Sequence, residues 1–144
     1  YHQISSSNFV DLEFFYKKHG IENVLFNFED NIFKYIKESN LAITRAGAST
    51  LSELTFLKVP FIAIPYKFAV DNHQFENALD YEKNGCCWIL KEEEFNQNKL
   101  TTLLLNIIQN KEDYLRKKKS LENFCYQNSW NDINEKLTTC LNEN

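Results

Sequence analysis

The chain has 144 residues, 43% hydrophobic and 25% charged, enough to bury a real core in one compact α/β domain spanning residues 1–144. A net charge of −4, with aromatics that are not interleaved with basic residues, gives no electrostatic footprint for nucleic acid, so no such partner is expected. Neither a long apolar run nor a basic segment followed by an apolar one is readable, which argues against a spanning helix or a signal peptide and for a cytoplasmic location.

In chain order, Tyr1 to Ile4 reads as the tail of a strand, Asn8 to His19 as a helix ending at Gly20, and Asn23 to Phe28 as a second strand. Asp30 to Glu38 reads as a short helix and Leu41 to Thr44 as a buried strand. Ser49 to Leu57 is helical and leads through Val59-Pro60 into a strand, Phe61 to Ile64, closed by Pro65. Asp71 to Asn84 is a further helix and Cys86 to Leu90 a further strand. Such alternation implies a Rossmann-like parallel sheet with helices on both faces and right-handed crossovers.

From Phe95 onward, apolar residues recur at helical spacing: Leu100, Leu103, Leu104, Ile107 and Ile108, then Tyr114, Leu115, Leu121 and Phe124, then Trp130, Ile133 and Leu137. Two or three helices packed on the sheet are expected. The four cysteines, at 86, 87, 125 and 140, lack metal-ligand spacing and read as reduced thiols, with Cys86 and Cys87 on opposite faces of a strand.

Chemistry concentrates in two segments. In Arg45-Ala46-Gly47-Ala48-Ser49-Thr50-Leu51-Ser52-Glu53, a strand passes through a glycine turn into a helix whose free backbone N–H groups suit a phosphate, with the Ser49 and Thr50 hydroxyls as added donors. Glu53, one turn in, is placed to accept from a ribose diol; Thr50-x-x-Glu53 is equally a capping box. In Asp71-Asn72-His73-Gln74-Phe75-Glu76-Asn77-Ala78, Gln74 and Asn77 share a helical face, and two neighbouring amides suit the vicinal hydroxyls of a sugar. Asp71-x-x-Gln74 is also a plausible N-cap pair. Arg45 either helps to neutralise phosphate or pairs with Glu53 or Asp71.

The two segments, at this spacing, resemble the C-terminal, donor-binding half of the MurG family, bacterial transferases that add N-acetylglucosamine from UDP-N-acetylglucosamine to the undecaprenyl-linked muramyl-pentapeptide precursor of peptidoglycan. The resemblance runs from His2-Gln3 to about Leu90, and more loosely to the end. Ser49 stands where many members have a bulkier apolar residue, Ala46 where serine is common, and His73 where glutamine is frequent.

The resemblance implies the C-terminal domain of a GT-B glycosyltransferase. It assigns donor binding to Phe28 and Glu29, through main-chain bonds to uracil, and to Arg45, Gly47, Ala48, Ser49, Thr50, Glu53, His73, Gln74 and Asn77, the amides reading the N-acetylglucosamine moiety. In such an enzyme the acceptor C4 hydroxyl attacks the anomeric carbon from the face opposite UDP and inverts it, while charge growing on the diphosphate meets the helix terminus.

The same resemblance implies that the chain opens in mid-strand, without the acceptor-binding N-terminal domain. No catalytic residue is then expected in these 144 residues, and contact with the lipid-linked acceptor and the inner face of the cell membrane falls to the other half. The run Arg116-Lys117-Lys118-Lys119 reads as a solvated face, and His2 and His19 need no catalytic role. With no Asp-x-Asp motif, neither a metal nor a cofactor is expected beyond the donor itself. Two further readings stay open: the donor-binding subunit of a two-subunit, dolichyl-diphosphate type N-acetylglucosaminyltransferase, and a non-catalytic UDP-sugar-binding module.

Overall fold

The computed structural model describes residues 1–4, 8–126, 135, 138 and 139. The expected helix around Trp130, Ile133 and Leu137, and Cys140, lie outside them, as does the Cys125 side chain. The chain divides into two compact units, one of residues 1–38 and one from Ser39 onward.

In the first unit, β1 (His2–Gln3) pairs in parallel with β2 (Leu25–Phe26), and the helices α1 (Phe9–Lys18) and α2 (Ile32–Glu38) follow these strands. Gly20, at φ 63°, lets the backbone turn back after α1, so that Ile21 N–H donates to the Tyr16 carbonyl at 2.9 Å. His2 Nδ1 and the Tyr16 hydroxyl are hydrogen-bonded at 2.9 Å, and the Tyr35 ring stacks on Phe26 with centroids 5.0 Å apart. These contacts give the histidine and both tyrosines structural work.

The second unit is built on three parallel strands, β3 (Ala42–Thr44), β4 (Phe61–Ala63) and β5 (Cys87–Ile89), in the spatial order β3-β4-β5. The strands are shorter than the apolar runs because those runs continue into the loops at the sheet edges. In register, Thr44, Ala63 and Ile89 lie level. The chain therefore leaves all three carboxyl ends along one edge, where open parallel sheets hold their ligands.

Phe61, Ile62 and Ala63 are fully buried, as a central parallel strand covered on both faces requires. Consecutive residues point to opposite faces. Ile62 joins Leu90 and Ile107 in a core that Leu100, Leu103 and Leu104 of α5 (Gln97–Gln109) pack against. The Phe61 ring instead meets Tyr81 of α4 (His73–Lys83) edge-on at 5.7 Å, and Tyr81 meets Phe124 of α6 (Lys111–Tyr126) at 4.7 Å. Helices thus cover both faces of this sheet.

The helical stripe is narrower than its sequence pattern, because Ile108, one residue past the buried Ile107, is 74% exposed. Cys86 and Cys87 are both free and fully buried. Loss of solvent pushes their thiols up, to about 11 and about 12 respectively, so neither is a nucleophile at neutral pH. Among the described residues no helix is long and apolar enough to cross a membrane.

Candidate functional site

Helix α3 (Ala48–Phe56) begins one residue past the turn that leaves β3. Its N-cap is Gly47, with φ −69° and ψ 135°, an extended conformation open to any residue. A Cβ built on Gly47 would meet no heavy atom within 4 Å. The fold thus makes no use of the glycine; what the missing side chain provides is room above the start of the helix. Leu51 N–H returns to the Gly47 carbonyl at 3.0 Å, so the N–H groups of Ala48, Ser49 and Thr50 precede the intrahelical ladder. No side chain caps them and no acidic residue occupies the first turn.

Placing the N-cap at Gly47 rules out the capping box from Thr50 to Glu53, since both residues lie inside the helix. Ala48 and Ser49 are exposed, Thr50 and Glu53 half-buried. Among the described residues, no side-chain hydrogen bond or ion pair engages Ser49, Thr50 or Glu53.

Helix α4 starts two residues later than its sequence pattern. Asp71 (φ 50°) and Asn72 (φ 55°) are both left-handed, inside a 3-10 turn at Val70–Asn72, so the first helical residue is His73. The N-cap pair of Asp71 and Gln74 therefore does not form. Gln74 Oε1 instead accepts from the backbone N–H of Tyr66 at 3.0 Å, across the loop that leaves β4. Asn77 Nδ2 donates to the Ala46 carbonyl at 3.2 Å, tying α4 to the residue before Gly47. What remains uncommitted is the Gln74 amide donor and the Asn77 carbonyl acceptor, three residues apart on one helix. His73 is exposed and its Nδ1–H donates to the Val70 carbonyl at 2.7 Å.

Arg45 pairs with neither Glu53 nor Asp71. Its guanidinium lies 2.6 Å from Glu92, just past β5, donates to the Ile64 carbonyl at 3.3 Å and sits 5.5 Å above the Tyr66 ring. Glu92 also accepts from Lys67 N–H at 3.0 Å. That bond first, and Arg45 second, hold the Glu92 carboxyl below the ordinary carboxylate range. Two open cavities of about 240 and 260 Å³ at the strand ends share Glu92 in their walls. Sequence reasoning missed Glu92, because three glutamates in a row, 92 to 94, look like a solvated turn.

Phe28 and Glu29 belong to the first unit, after β2. Phe28 is 77% exposed, and Glu29 Oε1 accepts from Asn31 N–H at 3.0 Å. The described residues contain no cluster of ligands that could hold a metal ion. A larger cavity of about 590 Å³ lies beside Trp88, Asn106 and Asp113, where α5 meets α6, and none of the sequence-derived site residues lines it.

A parallel α/β unit with an uncapped helix N-terminus at the carboxyl ends of its strands is the architecture of a nucleotide-binding domain. Residues 1–136 match the glycosyltransferase family 28 C-terminal domain, and the chain belongs to that family. Among its relatives is the UDP-N-acetylglucosamine–N-acetylmuramyl-(pentapeptide) pyrophosphoryl-undecaprenol N-acetylglucosamine transferase of Pelagibacter ubique (strain HTCC1062), 47% identical over all 144 residues. The protein of the same name from Sulfurovum sp. (strain NBC37-1) is 40% identical over 103 residues, 72% of this chain. The chain covers 40% of the first and 30% of the second. The crystal structure of Acinetobacter baumannii MurG shares the fold, with a TM-score of 0.70 and 21% identity over 86% of this chain and 39% of that one.

Proposed function

We propose that the chain is the UDP-N-acetylglucosamine-binding half of an inverting glycosyltransferase that transfers N-acetylglucosamine to a lipid-linked muramyl-pentapeptide in peptidoglycan synthesis. The observation that carries this reading is the bare N-terminus of α3. Three backbone N–H groups, an unoccupied space above Gly47 and no acidic residue in the first turn suit a diphosphate, whose charge grows as the bond to the sugar breaks. The names of the relatives supply the donor and the acceptor.

In this reading Ser49 and Thr50 add hydroxyl donors to the phosphates, and Glu53, whose carboxylate has no partner among the described residues, accepts from the ribose diol. Gln74 offers a donor and Asn77 an acceptor to neighbouring sugar hydroxyls. Arg45, already neutralised by Glu92, contributes to the shape of the site more than to its charge. The donor is held without a cofactor, since backbone dipoles take the phosphate charge. The acceptor wall and general base belong to a further domain, at the inner face of the cell membrane, where cell-wall synthesis serves shape and division.

Calorimetric titration of the purified, folded chain with UDP tests the proposal. UDP should bind, and Glu53→Ala should weaken it by about 1.5 to 3 kcal/mol, the range for hydrogen bonds to a charged group. With 2′,3′-dideoxy-UDP the difference between the two proteins should largely vanish. A folded chain that does not bind UDP sinks the reading, and a variant that loses stability but keeps its affinity would return Glu53 to a structural role.

A further inference from the structure

Three loops leave the carboxyl ends of β3, β4 and β5, and one carboxylate reaches all of them. Glu92 stands in the third loop. Its Oε1 meets the Arg45 guanidinium of the first loop at 2.6 Å, and its Oε2 accepts the Lys67 N–H of the second at 3.0 Å. Arg45 reinforces the same crossing through the Ile64 carbonyl, at 3.3 Å, and the Tyr66 ring. Helix α4 holds the same two loops one residue away: Asn77 takes the Ala46 carbonyl at 3.2 Å and Gln74 the Tyr66 N–H at 3.0 Å. Residues 45 and 46, and residues 66 and 67, are thus each gripped by one amide of α4 and by Glu92.

We infer that Glu92 is a positioning residue for the phosphate end of the site: acting through Arg45 and Lys67, it holds in place the turn that leads into the first N–H groups of α3. The inference rests on the phosphate reading of that helix terminus. Short loops between rigid strands and helices have few internal bonds. The helix sets the direction of the Ala48, Ser49 and Thr50 N–H groups, whereas the place of the turn beside them is set by what grips residues 45 and 46. Glu92 suits the task because both oxygens are engaged and its side chain keeps only 23% of its exposure, so the pair is shielded more than its neighbours. Glu94, two residues on, pairs with Lys99 at 2.8 Å with both side chains about half exposed and touches neither loop. That makes it the natural control.

The test compares UDP titrations of the chain with those of Glu92→Gln, Arg45→Gln, the double variant and Glu94→Gln. Glu92→Gln should weaken UDP about tenfold while leaving uridine affinity unchanged, since uridine carries no phosphate to aim at. The double variant should lose less than the sum of the two single losses, because the Arg45–Glu92 contact that the single variants share cannot be broken twice. Glu94→Gln should bind as the parent does. Equal losses for UDP and uridine, or additive losses in the double variant, would overturn the inference. Hydrogen exchange without nucleotide reads the clamp independently of the functional reading: Glu92→Ala should speed exchange at the Lys67 amide, and unchanged protection there would refute the clamp whether or not UDP binds.

Discussion

Helices α3 and α5 start in opposite ways. At α5 the N-cap Asn96 is extended and its side chain accepts from Lys99 N–H at 2.9 Å, which satisfies one of the donors that begin every helix. Asn110 does the same for α6, accepting from Asp113 N–H at 3.0 Å. Helix α3 has Gly47 in that place and no side-chain cap at all. Helices α1 and α4 also lack a side-chain cap, but asparagine stands at each N-cap, Asn8 and Asn72, and an acidic residue in each first turn, Asp11 and Glu76; α3 has neither, and its start follows the carboxyl end of β3. With glycine at the N-cap, forgoing a side-chain cap costs a helix only about a few tenths of a kcal/mol, and it leaves N–H groups free for something outside the chain.

The difference can be broken most directly by giving α3 its own cap. In Gly47→Asp a carboxylate occupies the space above the first turn, competes for the N–H groups and repels phosphate. UDP affinity should fall about a hundredfold, about 2.8 kcal/mol, while thermal stability stays level or rises by a few tenths of a kcal/mol. Titration and thermal melting of one sample read both. Unchanged affinity would mean that the bare terminus is not the phosphate site.

The reciprocal change should move stability alone. Asn96→Ala removes the α5 cap and should lower stability by about 1 kcal/mol with UDP affinity intact. A matching loss of affinity would erase the distinction between the two ends.

The smallest effect separates the two by acid. The Asn96 cap is neutral, whereas the loops before α3 are held by the Glu92 carboxylate, whose value is depressed below 4.5 by the Lys67 N–H and Arg45. A depressed carboxyl contributes stability that is fully present above its unfolded value and is lost as pH falls through its folded value. Melting curves of the parent and Glu92→Gln should therefore differ above about pH 4.5 and converge only as the pH falls further, through the lowered value. A gap that persisted into strong acid would argue that the charge of the Glu92 carboxylate is not what holds these loops.

Local pattern carried much of the fold. Every strand and helix expected up to Phe124 has a counterpart, and Gly20 ends α1 as its position after the last periodic residue implied. The boundaries that moved did so where tertiary geometry overrode a local signal. Asp71 resembles a helix start, yet it is left-handed because the chain must bend before α4. Thr50 and Glu53 have capping-box spacing, yet the helix had already begun at Ala48, with Gly47 as its N-cap.

What the sequence determined by itself was whatever depends on neighbours in the chain: the alternation of strand and helix, the apolar stripe from Leu100 to Ile107, and the turn from β3 into α3. The tertiary structure alone decided which distant groups meet. Arg45 could have found Glu53 or Asp71, and it meets Glu92, 47 positions away, because the parallel register brings the ends of β3, β4 and β5 level. Gln74 and Asn77 share a helical face by simple periodicity, but only packing shows that half of each amide already holds a loop. Spacing encodes faces; partners across a sheet edge follow from strand order and register, which no local pattern contains.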